Sequence, residues 1–178
     1  AGDPRAQSYS RRRVGGAPTV EQGVGRVVLE RSLFVSGAAE SRPIRAEQHP
    51  GVDDGESARF CFTVGAAGGV LVSVALAWTD PVAASVSAKQ LVNDLDLAVR
   101  SPDGNWTLGN ASPGATYSPR RADPRAAAGG AVAVVDQVNT IERVVLQQAL
   151  VGTYMVIVHG AWVADGPQPF ALVVHGAG

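Results

Sequence analysis

The sequence predicts an all-β domain, an antiparallel sandwich or barrel, on three observations. From residue 58 onward, short apolar runs recur with two-residue alternation. Turn signals separate those runs, and no helical stretches alternate with them, which excludes doubly wound α/β folds. Ala58 to Val64 alternates, and Gly69 to Trp78 is rich in Val and Leu. Leu91 to Val99 alternates again through Leu95, Leu97 and Val99. Gly130 to Val135 is apolar, Ile141 to Leu146 is β-branched, and Thr153 to Val158 and Phe170 to Val174 complete the series. The punctuation is Thr79-Asp80-Pro81, Ser101-Pro102-Asp103-Gly104, Val151-Gly152 and Gly166-Pro167.

The first part of the chain reads differently. Residues 1 to 18 are polar, basic and rich in Gly and Pro, with an Arg11-Arg12-Arg13 run, and are expected to form a flexible arm that carries a processing or docking signal in the sharper reading. Val20 to Phe34 places Val24, Val27, Val28, Leu29, Leu33 and Phe34 at spacings that predict a turn and a short helix. Gly51 to Ser57 is an acidic loop, and Ala111 to Gly130 is a long Ala-, Pro- and Arg-rich loop with little apolar surface to bury.

At 178 residues the chain suits one domain that can bury about 70% of its unfolded surface, so no disulfide or metal is required to create a core. A net charge of −1 supplies no electrostatic pull toward nucleic acid or anionic lipid. The apolar run Val70 to Trp78 is far too short to cross a bilayer as a helix. Cys61 is the single cysteine, which excludes an internal disulfide, and its setting between Phe60 and Phe62 predicts a buried, inert thiol. The chain begins without a basic-then-apolar signal, as a processed or excised piece would.

Catalytic signatures are missing. His49, His159 and His175 are scattered, and no Gly-x-Ser-x-Gly elbow, His-Glu-x-x-His or Cys-x-x-Cys occurs. The densest polar feature is Leu91-Val92-Asn93-Asp94-Leu95-Asp96-Leu97, whose strand period sends Asp94 and Asp96 to one face and the leucines to the other. Paired carboxylates need a cation, donors or water to offset their repulsion, and Ca²⁺ suits because it gathers carboxylate, amide and backbone oxygens together. The bland alternative is a solvated strand face capped by Asn93. Asp136, Asn139 and Glu142 form a second cluster, able to complete such a shell or to cap a turn. Among the tryptophans, Trp78 is expected in the core, and Trp106, near a hairpin tip, is the exposed candidate for binding a carbohydrate or protein partner. Asn105-Trp106-Thr107 and Asn110-Ala111-Ser112 fit the glycosylation sequon.

Taken together these segments resemble the C-terminal jelly-roll β-sandwich domain of subtilisin-like serine proteases. Glu21-Gln22-Gly23-Val24-Gly25-Arg26-Val27 with Leu33 is similar to the segment that closes the protease domain. Trp78-Thr79-Asp80, Leu91 to Leu97, Ser101-Pro102-Asp103-Gly104 and Gly109-Asn110 follow in family order. Asp136, Asn139 and Glu142 match an Asp-x-x-Asn-Asn-Val-Glu pattern in which Thr140 replaces the second Asn. Gly152-Thr153-Tyr154 and Pro169 to Val174 are similar to the closing strands.

The resemblance implies a jelly-roll-like sandwich of about eight strands over residues 35 to 178, preceded at 19 to 34 by the end of a catalytic domain. It further implies an accessory role beside a serine endopeptidase domain in cis, in an extracellular or secretory-pathway setting. Calcium is implied near Asp94 and Asp96, with Asn93, Asp80, Asp136 and Glu142 as co-ligands. The protease's Asp, His and Ser segments would precede residue 19, so the chain itself carries no triad. The rival expectation is a freestanding carbohydrate- or protein-binding module.

Overall fold

The computed structural model describes residue 27 and residues 43–65, 70–110 and 136–176. The expected arm, the expected short helix apart from Val27, the Gly130 to Val135 strand and the long Ala111 to Gly130 loop lie outside them. The strands are β1 (Ile44–Val52), β2 (Ser57–Val64), β3 (Val70–Ala77), β4 (Asn93–Arg100), β5 (Trp106–Leu108), β6 (Ile141–Ala149), β7 (Gly152–Val163) and β8 (Gln168–His175).

They form two four-stranded sheets, ordered β1-β8-β3-β6 and β2-β7-β4-β5, with every pairing antiparallel. Among the described strands, only β4 and β5 are sequence neighbours that pair, so nearly every connection between them crosses from one sheet to the other. This is the strand order of a jelly roll. The expected β-sandwich is therefore the observed fold.

Alternation explains the core. Val72, Val74 and Leu76 of β3 face Leu95, Leu97 and Val99 of β4, joined by Val156, Val158, Leu172 and Val174, all buried in one apolar cluster. Each such side chain contributes about 1.5–3 kcal/mol relative to exposure. Phe62 stacks on Tyr154 with ring centroids 4.9 Å apart. The Tyr154 hydroxyl accepts from Leu150 N (2.7 Å) and donates to Leu150 O (3.1 Å), locking the β6–β7 turn.

One strand is unannounced by the sequence and two expectations change. Ile44 to Val52 is a strand although its sequence, Ile-Arg-Ala-Glu-Gln-His-Pro-Gly-Val, has no apolar alternation. As β1 lies at a sheet edge, it tolerates charge and Pro50, and its pairing with β8 shifts register between His49 and Val52. Trp106 to Leu108 is a short strand and not part of the hairpin tip. Cys61 is exposed, because Phe62 turns into the core from edge strand β2 and the thiol takes the opposite, outer face.

Candidate functional site

Three of the segments that resemble the protease accessory domain, Trp78 to Asp80, the start of Leu91 to Leu97 and the start of Pro169 to Val174, meet at one end of the sandwich, where β3 ends, β4 and β8 begin and β7 ends. Trp78 Nε1 donates to Asn93 O (3.1 Å), anchoring the end of β3 to the start of β4. Asp80 closes the intervening loop by accepting from Val92 N and Asn93 N, both at 2.8 Å. The Asn93 amide donates to Asp165 O (2.6 Å) and Gln168 Oε1 (2.8 Å), while its oxygen accepts from Asp165 N (3.0 Å). Gln168 Nε2 completes the circuit by donating to Thr79 O and Pro169 O. Asn93 and Gln168 are buried, so every hydrogen bond in this circuit replaces one that water would otherwise make. Sequence reasoning missed Gln168, whose only signal is a polar residue opening an otherwise apolar strand.

Asp94 and Asp96 occupy the outer face of the second sheet, yet they are 1% and 2% exposed. The solvated-face reading is thereby excluded. Lys89 Nζ lies 3.6 Å from Asp94 Oδ2. Glu142 points inward from β6, and its Oε2 accepts from Leu97 N at 2.5 Å. Burial drives its carboxyl pKa well above the ordinary range; the Leu97 N–H pulls it down, and the charges of Asp96, Asp136 and Asp94 push it further up. Gly109 makes room for this carboxyl, since a Cβ there would sit 2.8 Å from Glu142 Cβ.

Asp136 belongs to a separate corner. It accepts from Val138 N and Asn139 N (both 3.0 Å) and from the amides of Asn139 and Asn110 (both 2.6 Å). Burial raises its pKa, but these four donors outweigh that effect and leave it below the usual value. Asn110 adopts φ 52°, a conformation Asn tolerates, and ties the end of β5 to β6. Its backbone N donates to Arg143 O (3.0 Å), its Oδ1 accepts from Arg143 N (3.1 Å), and its amide also donates to Ile141 O (2.7 Å).

The expected calcium ligands are thus divided among the loop circuit, the outer sheet face, the sandwich edge and the Asn110 corner. Among the described residues, no group of three or more His, Cys, Asp or Glu side chains is placed to hold a metal ion. The oxygens of Asp80, Asn93 and Asp136 are already engaged by donors of the chain itself. These residues do not fit one calcium shell.

Trp106 is a second correction. It is 8% exposed, packed with Ala98, Leu108, Met155 and Ile157, because β5 begins at Trp106 and lays the indole along the outer face of β4. The exposed tryptophan is Trp162, at 58%. Of the sequons, Asn105 is exposed with its amide on Asp103 Oδ2 (2.7 Å), whereas the Asn110 amide is committed to Asp136 and Ile141.

Strand register gathers one further group that the sequence leaves scattered. Ser57, His159 and Asp96 stand in a row across β2, β7 and β4, with Ser57 Oγ and His159 Nδ1 2.9 Å apart. Beside this row Gly55 N donates to Gly160 O, Glu56 N to Asp53 O and Gly160 N to Glu56 O, which ties the β1–β2 loop to β7. A shallow cleft of about 600 Å³ lies beside the loop circuit, walled by Gln48, Pro50, Trp78, Thr79, Pro169 and Phe170. None of the expected calcium ligands lines it.

No family model matches the chain. Curated proteins of Dictyostelium discoideum do. The Serine protease/ABC transporter B family protein tagA is 24% identical over 162 residues, covering 88% of this chain and 9% of that protein. Its namesake tagB is 31% identical over 101 residues (57% of this chain, 5% of that protein), and tagD is 27% identical over 132 residues (68% and 7%). The chain spans less than a tenth of the length of each of these relatives. It is an all-β sandwich with sequence similarity to part of proteins named as serine proteases.

Proposed function

We propose that this sandwich is a non-catalytic accessory domain of a subtilisin-like serine endopeptidase, acting in cis to stabilise the catalytic domain and shape access to its cleft. One observation carries the reading: 88% of the chain aligns with a small part of a much larger protein named as a serine protease. The polar side chains that resemble the accessory domain support it. Asp80, Asn93, Asp136 and Glu142 hold loops and strand edges, which is what a structural module asks of them. An extracellular or secretory-pathway setting belongs to the same proposal. Calcium enters no step of it.

The test is to delete the sandwich from a longer polypeptide that carries the catalytic domain. A shorter half-life of activity at elevated temperature, or a narrower range of cleaved peptides, is the expected outcome. Unchanged inactivation and an unchanged cleavage profile would refute the accessory role.

A further inference from the structure

At the same end of the molecule, β7 carries an irregularity. Asp94 pairs with Trp162, but Leu95 pairs with Gly160, so Ala161 is an extra residue on the β7 side. A bulge of this kind re-aims the side chains beyond it. Trp162 follows it immediately and presents its indole to solvent, 58% exposed, on the outer face of the second sheet.

Carboxylates stand close to Trp162 along the backbone. Asp54 Oδ1 accepts from Val163 N at 2.9 Å, which fixes its carboxylate within one residue of Trp162. Asp165 follows three positions on and is exposed. Buried Asp94 lies directly across the ladder, and Lys89 Nζ stands 3.6 Å from its Oδ2. The chain thus already seats an ammonium at this corner, and Asp54 and Asp165 are exposed.

An indole face attracts Arg and Lys cations, best of all the aromatic faces, and neighbouring carboxylates add charge pairing. We propose that Trp162, with Asp54 and Asp165, is a docking site for an arginine- or lysine-bearing peptide segment of a partner protein. The cation stacks on the indole and pairs with the carboxylates. This site is independent of the accessory-domain reading, and it lies apart from the cleft walled by Trp78 and Phe170.

The test is fluorescence anisotropy of a labelled tetra-arginine peptide titrated with the full 178-residue chain, with tetra-glutamate as control. Saturable binding of the arginine peptide is expected, weakened about fivefold by Trp162→Ala and less by Trp162→Phe, which keeps an aromatic face. Asp165→Asn removes a charge without touching a core contact and is expected to weaken binding and flatten its salt dependence. Trp162 is exposed, so these variants should melt with the native chain, and the melts are recorded alongside. Equal affinity for native chain and Trp162→Ala, equal binding of tetra-glutamate, or no binding of tetra-arginine would each overturn the proposal.

Discussion

Glu142 offers the sharpest test of the packing described here. Its carboxyl is 2% exposed, on a core-facing position of β6, and accepts the Leu97 N–H. Burial raises its pKa, and the charges of Asp96, Asp136 and Asp94 add to the rise. The folded state therefore favours the protonated form. A raised pKa contributes stability that is fully present below the unfolded value of about 4.3, and is lost as pH rises through the folded value. Glu142→Gln keeps an acceptor for Leu97 N but cannot ionise. Its stability relative to the native chain should climb with pH above that point, at a slope of at most about 1.4 kcal/mol per pH unit. Glu142→Ala leaves the buried Leu97 N–H without its acceptor, a loss of about 1–3 kcal/mol at acid pH. For a chain of this size each kcal/mol shifts the melting temperature by about 2–4 °C. The assay is a set of circular dichroism melts from about pH 4 to about pH 8. Parallel curves for Glu142→Gln and the native chain, or a Gln variant that loses ground as pH rises, would refute the reasoning.

Other outcomes follow from the same geometry. Asp136 behaves oppositely, since its lowered pKa gives stability that is present above the unfolded value and lost as pH falls through the folded one. Asp136→Asn should therefore cost stability near neutral pH, with the deficit shrinking in acid melts. Asp80→Ala withdraws the acceptor of two backbone N–H groups and should destabilise by about 2–4 kcal/mol in denaturant titration, whereas Asp80→Asn should recover part of that. Melts with calcium and with excess chelator should superimpose, and a chelator-sensitive rise in melting temperature would restore the cation.

What the sequence discloses and what it hides divide along physical lines. Strands flanked by core on one face, such as β2 and β8, announce themselves, because each buried residue alternates with a wetter one. Edge strand β1 does not, since one pairing neighbour and partial burial place little demand on its side chains. For β4 the period was legible but the environment was not. Leu95 and Leu97 face the core as alternation requires, yet the Asp94 and Asp96 face is buried as well. Burial of an outer sheet face depends on what lies over it, and that information is not local to the strand. The tryptophans show the same limit. Trp78, at the end of an apolar run, is buried as read; Trp106 is buried against that reading because strand β5 begins one residue after Asn105, and the exposed Trp162 stands just beyond a bulge that the sequence does not announce.

The candidate site divides in the same way, and this bears on why calcium was an attractive reading. Acidic residues closely spaced in apolar sequence must be compensated, and a cation is one solution. This fold compensates most of them with its own backbone. Asp80 is neutralised by N–H dipoles of Val92 and Asn93, Asp136 by Val138, Asn139 and Asn110, and Glu142 by Leu97 together with a displaced proton equilibrium. Each carboxylate sits where a strand or loop would otherwise leave an N–H unanswered. A jelly roll that crosses between sheets at almost every connection exposes many such N–H groups, and acidic side chains at the crossings answer them. The acidic pattern thus follows from topology, with the cation superfluous at those positions. Trp162 lies outside that economy: its indole is largely exposed and belongs to neither buried cluster of the described residues, so a partner's cation is the contact its chemistry invites.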